Sequence, residues 1–166
     1  DEESVPEGYL LFFTKDGLIK KTEWKEYAIT KPYIQAIKLK EGDELIAVEQ
    51  DMPETTIAYI TKEGLILNAE KDDIPVQGRV AGGVKGIKLG DKDQIIFVSQ
   101  VDEEGEFIII ADNSMYKRVV ASDVEPMGRY RKGVKIVTLG AKDSVVYAGY
   151  VKEPYDLAVV DNFGII

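Results

Sequence analysis

Ile37-Lys38-Leu39-Lys40-Glu41-Gly42-Asp43, Ile87-Lys88-Leu89-Gly90-Asp91-Lys92-Asp93 and Val137-Thr138-Leu139-Gly140-Ala141-Lys142-Asp143 are one pattern met three times. The leucines at 39, 89 and 139 are 50 residues apart, and so are the aspartates at 43, 93 and 143. A second anchor is a turn: Lys15-Asp16-Gly17, Lys62-Glu63-Gly64, Asp112-Asn113-Ser114 and Asn162-Phe163-Gly164. Each aspartate precedes the last residue of the next turn by 21 positions, so the one length difference lies inside the first unit, between residues 17 and 39. A fixed period of this length is the signature of a repeat architecture. Three units span 9–50, 55–101 and 105–151, and a partial fourth spans 155–166.

Each unit reads as β. Tyr9-Leu10-Leu11-Phe12-Phe13-Thr14, Thr56-Ile57-Ala58-Tyr59-Ile60-Thr61, Phe107-Ile108-Ile109-Ile110-Ala111 and Asp156-Leu157-Ala158-Val159-Val160 are short runs rich in β-branched and aromatic residues. A two-residue turn with Gly or Asn, then a second run such as Leu18–Thr22 or Met115–Val119, predicts a hairpin. A polar Gly/Pro-containing stretch follows. A strand ending in the repeated Leu and another after the repeated Asp bring the count to about four per unit. Helix signals are weak, with one short turn over Thr22–Tyr27. Four strands in about 50 residues fit a propeller-type blade, and a ring needs roughly four to eight of them. The expectation is an all-β, propeller-like array, open or incomplete. A single β-sandwich would leave two anchors in phase by coincidence.

The 166 residues contain neither Cys nor His. Disulfides, thiolate or imidazole metal sites, Cys nucleophiles and Ser-His-Asp chemistry are thereby excluded. No apolar run approaches the roughly 20 residues of a membrane helix, and Asp1-Glu2-Glu3-Ser4 is not a secretory start. The expectation is a segment of a longer cytosolic protein. The aspartates 43, 93 and 143 follow Gly-containing turns and read as turn formers, since Asp side chains bond nearby backbone. Asp72-Asp73 and Asp102-Glu103-Glu104 lie in turns or linkers, with no apolar surroundings to raise a carboxyl pKa for catalysis. No catalytic and no metal-binding residue is expected.

The net charge is −9, but it is unevenly spread. Residues 1–8, 51–54, 102–104 and 152–166 hold the acid excess, while the first two units are neutral and the third carries +2. Basic residues recur at matching places: Lys20-Lys21 and Lys117-Arg118 on the second hairpin strand, and Lys38, Arg79, Lys85, Lys88, Arg129, Arg131, Lys132 and Lys135 on the approach to the repeated Leu. With a Debye length of about 8 Å at physiological salt, acids elsewhere are screened. Stacked units would align these cations along one rim that suits a polyanion.

The blade pattern is an apolar strand, Thr-Lys-x-Gly, a basic strand, a Gly-x-x-x-Ile-Lys-Leu segment, a Gly-Asp turn and another apolar strand. It resembles the C-terminal domain of the A subunit of bacterial type IIA topoisomerases, DNA gyrase and topoisomerase IV. Thr14-Lys15-Asp16-Gly17 with Lys20-Lys21-Thr22, Thr61-Lys62-Glu63-Gly64 and Gly83-Val84-Lys85-Gly86-Ile87-Lys88-Leu89 carry the resemblance. So does Arg-x-x-x-Gly-Val-Lys, at Arg79–Lys85 and again at Arg129–Lys135. It covers nearly the whole chain except the first eight residues. The resemblance implies a β-pinwheel, with strands exchanged between neighbouring blades and duplex DNA running around a basic perimeter. Exchange would give the partial fourth unit a role, its hairpin completing the third blade. The gyrase box, Gln-(Arg/Lys)-Arg-Gly-Gly-(Arg/Lys)-Gly, has no match. The nearest run, Gln77-Gly78-Arg79-Val80-Ala81-Gly82-Gly83-Val84-Lys85-Gly86, lacks its paired basic residues. Either the box lies outside this chain or the parent is of the topoisomerase IV kind.

The implied function is non-sequence-specific duplex binding with bending or wrapping, presenting DNA for ATP-dependent strand passage. The twelve cations named above are the candidate DNA contacts. The chain would not be an enzyme by itself, because the catalytic Tyr and the ATPase would lie elsewhere in the parent, with its ATP and Mg2+. The implied partners are double-stranded DNA, the rest of the parent's A subunit, and the B subunit. The implied location is the bacterial cytoplasm, at the nucleoid, with no membrane. The alternative is a propeller-like module whose acidic linkers meet a basic protein.

Overall fold

The computed structural model describes Ser4 and residues 6–153. The partial fourth unit expected over 155–166 lies outside the described residues. Eleven strands are described: β1 Tyr9–Thr14, β2 Leu18–Glu23, β3 Leu45–Gln50, β4 Thr56–Thr61, β5 Leu65–Ala69, β6 Val84–Lys85, β7 Ile95–Val101, β8 Glu106–Ala111, β9 Tyr116–Val120, β10 Val134–Lys135 and β11 Val145–Val151. Two 3-10 turns, Trp24–Tyr27 and Ala121–Asp123, are the helical content of the described residues.

The strands form three antiparallel sheets, ordered β3-β1-β2-β6, β10-β5-β4-β7 and β11-β8-β9. Each sheet is built on a hairpin. Two hairpins turn on three residues rather than the expected two, residues 15–17 and 62–64, and the third turns on four, residues 112–115. Gly17 and Gly64 take φ of +88° and +84°, and Ser114 takes +67° in their place. A type I turn followed by a left-handed residue is the usual three-residue solution. Thr14 and Thr61 reinforce it, their hydroxyls accepting the N–H of Leu18 (3.1 Å) and Leu65 (3.3 Å). The repeated aspartates act as read. Asp43 Oδ1 accepts the N–H of Asp16 (2.9 Å) and Glu44 (2.8 Å). Asp93 Oδ1 does the same for Glu63 and Gln94, both at 2.9 Å. Each aspartate thereby ties the outer strand to its hairpin tip.

The middle sheet is buried on both faces. Ile57, Tyr59, Leu67 and Ala69 pack with Leu11, Phe13 and Ile19 of the first sheet. Ala58, Ile60 and Ile66 pack with Phe107, Ile109, Val145 and Ala148 of the third. This explains why residues 56–61 form a continuous apolar run rather than an alternating one. Strands stacked this way present their ends and crossover segments, not their faces, to the surroundings.

The strand on the approach to the repeated Leu is shorter than expected and belongs to a different sheet. β6 of the second unit pairs with β2 of the first, Leu18 opposite Lys85 and Ile19 opposite Val84. β10 of the third unit pairs with β5 of the second, Leu65 opposite Lys135 and Ile66 opposite Val134. Neighbouring units therefore exchange a strand, as the resemblance implies. The exchanged element is the Gly-Val-Lys segment rather than a hairpin. The hairpin expected of residues 155–166, and its completion of the third blade, lie outside the described residues.

Candidate nucleic-acid interface

The exchanged strands place the basic motifs side by side. Gly83 and Gly133 take φ of +90° and +86° where the chain crosses onto the preceding sheet. A Cβ at Gly83 would stand 2.6 Å from the Ile19 carbonyl oxygen, and one at Gly133 would stand 2.3 Å from that of Ile66. Only glycine suits such an approach in a left-handed conformation.

The arginine of each Arg-x-x-x-Gly-Val-Lys motif holds this crossing. Arg129 donates from Nη1 to the Lys85 carbonyl (2.6 Å) and from Nε to Asp73 Oδ1 (2.9 Å). Arg79 donates from Nη1 to the Gln35 carbonyl, one period earlier, and its own N–H bonds Glu26 Oε2 at 2.6 Å. Backbone bonds repeat likewise: Lys38 N–H to Ala81 O at 3.2 Å, and Lys88 N–H to Arg131 O at 3.0 Å. Residues 35–38, 79–88 and 129–135 thus form one linked ribbon across three units. Lys38, Lys85, Lys88, Arg131, Lys132 and Lys135 are exposed along it.

The other six candidates stand differently. Arg79 and Arg129 are half-buried clasps between units. Lys21 donates to Asp51 at 2.8 Å with its Nζ 4.6 Å from the Tyr9 ring centroid, and it lines a groove of about 1050 Å³. Asp51, Glu54, Glu70, Asp72, Asp102 and Glu104 line the same groove, so the acidic linkers gather there. Burial pushes the Asp51 carboxyl up, but hydrogen bonds from Lys21 and Lys71 outweigh it and hold it below the usual range. Lys117 is exposed and donates to the Ile136 carbonyl at 2.6 Å. Arg118 forks onto Glu106 at 2.8 and 2.9 Å.

Lys20, expected on the rim, is fully buried. β2 alternates, so with Ile19 in the core shared with the second sheet, Lys20 points to the opposite face. There the crossover of its own unit and the Arg79 loop cover it. Its Nζ donates to Tyr27 Oη (2.9 Å), to the Ala36 carbonyl (2.8 Å) and to the Arg79 carbonyl, and stands 4.7 Å from the Phe12 ring centroid. It is a staple between the first two units and cannot reach a phosphate. Lys117 is its counterpart in the third unit, bonding the corresponding carbonyl.

Burial, aided by the Arg79 guanidinium, pushes the Lys20 ammonium down to about 8 against the pull of Glu26. A lysine lowered on folding binds fewer protons in the native than in the unfolded state. Between about pH 8 and the unfolded value near 10.4, stability therefore rises with pH. Urea unfolding at pH 7.5 and 9.5 is expected to show a gain of about 2 kcal/mol. Lys20→Met is expected to flatten that window. A wild-type curve as flat as the variant's would show that Lys20 keeps its ordinary pKa. Tyr59, raised by burial and opposed weakly by Arg129, acts the other way above its usual value near 10.

With the geometry set out, comparison with known proteins is specific. A family model described as "DNA gyrase C-terminal domain, beta-propeller" matches residues 8–50, 60–102 and 105–152. The chain belongs to this family. The DNA gyrase A protein of Halalkalibacterium halodurans is 37% identical over 86 residues, 51% of this chain and 10% of that protein. The DNA topoisomerase 4 A protein of Bacillus subtilis is 41% identical over 87 residues, 51% of this chain and 11% of that protein. The matched part is thus about a tenth of these relatives. A crystal structure of the C-terminal domain of DNA topoisomerase IV superposes with a TM-score of 0.79 at 26% identity, covering 93% of this chain and 48% of that one. The E. coli ParC C-terminal domain shares the fold at 13% identity, with a TM-score of 0.68 over 87% of this chain and 62% of that one. The chain thus belongs with the C-terminal domains of the A proteins of type IIA topoisomerases, with an open β-pinwheel architecture. Among the described residues, no helix is long and apolar enough to cross a membrane.

Within this family pattern, sequence reading missed the two arginine clasps and the lysine staple. The signal was present. Arg79 and Arg129 recur at the same distance before a glycine that is itself constrained, which suits a contact between units as well as one to a ligand.

Proposed function

We propose that the chain binds duplex DNA without sequence preference and bends it along the ribbon of Lys38, Lys85, Lys88, Arg131, Lys132 and Lys135. The observation that carries this reading is the continuity of that ribbon across three units. Lysine and arginine neutralise phosphates and release counterions, which gives affinity without sequence information. Bending 20–30 base pairs by 40–90° costs of order 1–6 kcal/mol, which contacts spread over successive units would offset. In the parent enzyme the bent segment would be handed to the strand-passage gate. The catalytic Tyr, the ATPase, Mg2+ and the B subunit belong to that parent, in the bacterial cytoplasm at the nucleoid. Of the twelve candidates, Lys20 is withdrawn, and Arg79 and Arg129 are assigned to holding the ribbon.

The acidic groove favours a second reading, a module that docks a basic protein. Fluorescence anisotropy with a labelled duplex of about 40 base pairs separates the two. Binding at low salt that weakens as salt rises supports the DNA reading. No binding at low salt contradicts it and leaves the groove as the functional surface.

A further inference from the structure

Tyr130 is the one aromatic residue in the ribbon that combines an exposed ring, basic neighbours on both sides and a strained backbone. Its φ is +62°, whereas Val80, one period earlier, has no such conformation. The cause is traceable. At the first junction the Ala36 carbonyl is filled by Lys20 Nζ and Tyr27 Oη, both at 2.8 Å. At the second junction Leu67 stands where Lys20 stood, and the corresponding carbonyl, Gly86 O, accepts the Tyr130 N–H at 2.8 Å. The Arg129 and Arg131 bonds to Lys85 and Lys88 fix residue 130 from both sides. A left-handed conformation in a bulky residue persists only when its surroundings impose it, and such residues gather at ligand clamps. The residue is 42% exposed, with Lys85 Nζ 4.6 Å from the ring centroid.

Resting on the DNA reading above, we propose that Tyr130 is a wedge that stacks against an unstacked or kinked base step while the surrounding lysines and arginines hold the flanking phosphates. Aromatic rings stack on any base, and side chains inserted between base steps favour sites where unstacking costs least. The ribbon would then read deformability rather than sequence. Lys85, which lies over the ring in the unbound protein, is placed to turn to a phosphate when the ring is taken up by DNA.

The test compares an intact 30-base-pair duplex with one of equal charge carrying a central mismatch. The wild-type chain is expected to bind the mismatched duplex about fivefold or more tightly, within the range for stacking one base. Tyr130→Phe is expected to keep the preference. Tyr130→Ala is expected to bring the ratio to about one with the salt slope unchanged. Tyr130→Gly, which suits the left-handed backbone, is expected to fold and to lose the preference likewise. If wild type and both truncations bind with the same ratio and slope, the wedge is overturned and the electrostatic reading stands. If the wild type binds neither duplex, the DNA reading itself fails, and the wedge with it.

Discussion

Gly133→Ala is expected to lower the melting temperature by about 10 °C, monitored by circular dichroism. A Cβ there would lie 2.3 Å from the Ile66 carbonyl oxygen, 2.6 Å from its carbon and 2.9 Å from the Leu67 nitrogen. All three are backbone atoms of a buried strand, so none can swing aside. Left-handed strain costs roughly 1–2 kcal/mol and overpacking typically 1–3. Together they amount to about 3 kcal/mol, which converts to that shift for a domain of this size. Gly42→Ala is the control. Its φ is +80°, yet a Cβ added there would meet nothing within 4 Å, so strain alone remains. Equal losses in the two variants would show that the exchanged strand is not what Gly133 secures.

The second large effect is on binding. Changing Lys85, Lys88, Arg131 and Lys132 together to Glu is expected to weaken duplex binding at least about a hundredfold at 50 mM salt. The four side chains are exposed, so stability is expected to change by less than about 1 kcal/mol. Lys20→Met, by contrast, is expected to leave binding unchanged, because the ammonium is sealed between units. Full binding by the quadruple variant would move the DNA contacts off the ribbon. Loss of binding in Lys20→Met with the fold intact would mean that the staple shapes the ribbon, not only the core.

Local features were the legible ones. The 50-residue period, the hairpins and the turn aspartates depend on residues near one another in sequence, or on repetition that alignment of the units exposes. Strand exchange depends on Ile19 meeting Val84, which no local pattern announces, and it came only through family resemblance. The basic residues were found but not sorted. A lysine on an alternating strand reads as solvated unless something covers that face, and for Lys20 the cover is the Ala36 region and the Arg79 loop. Arg79 and Arg129 were read as perimeter charges because a carbonyl clasp and a phosphate contact require the same side chain. The left-handed backbone of Tyr130 had no local signal, since its N–H bonds the carbonyl of Gly86, far away in sequence.

The central claim is that the ribbon neutralises phosphates. The most direct test is the slope of log affinity against log salt for a duplex, measured for the wild-type chain and for Lys88→Gln/Lys132→Gln. The wild type is expected to give a slope of several units, and the double variant one smaller by about two, near 0.9 for each phosphate no longer neutralised. Parallel slopes for the two proteins would contradict the assignment of the ribbon as the DNA-binding surface.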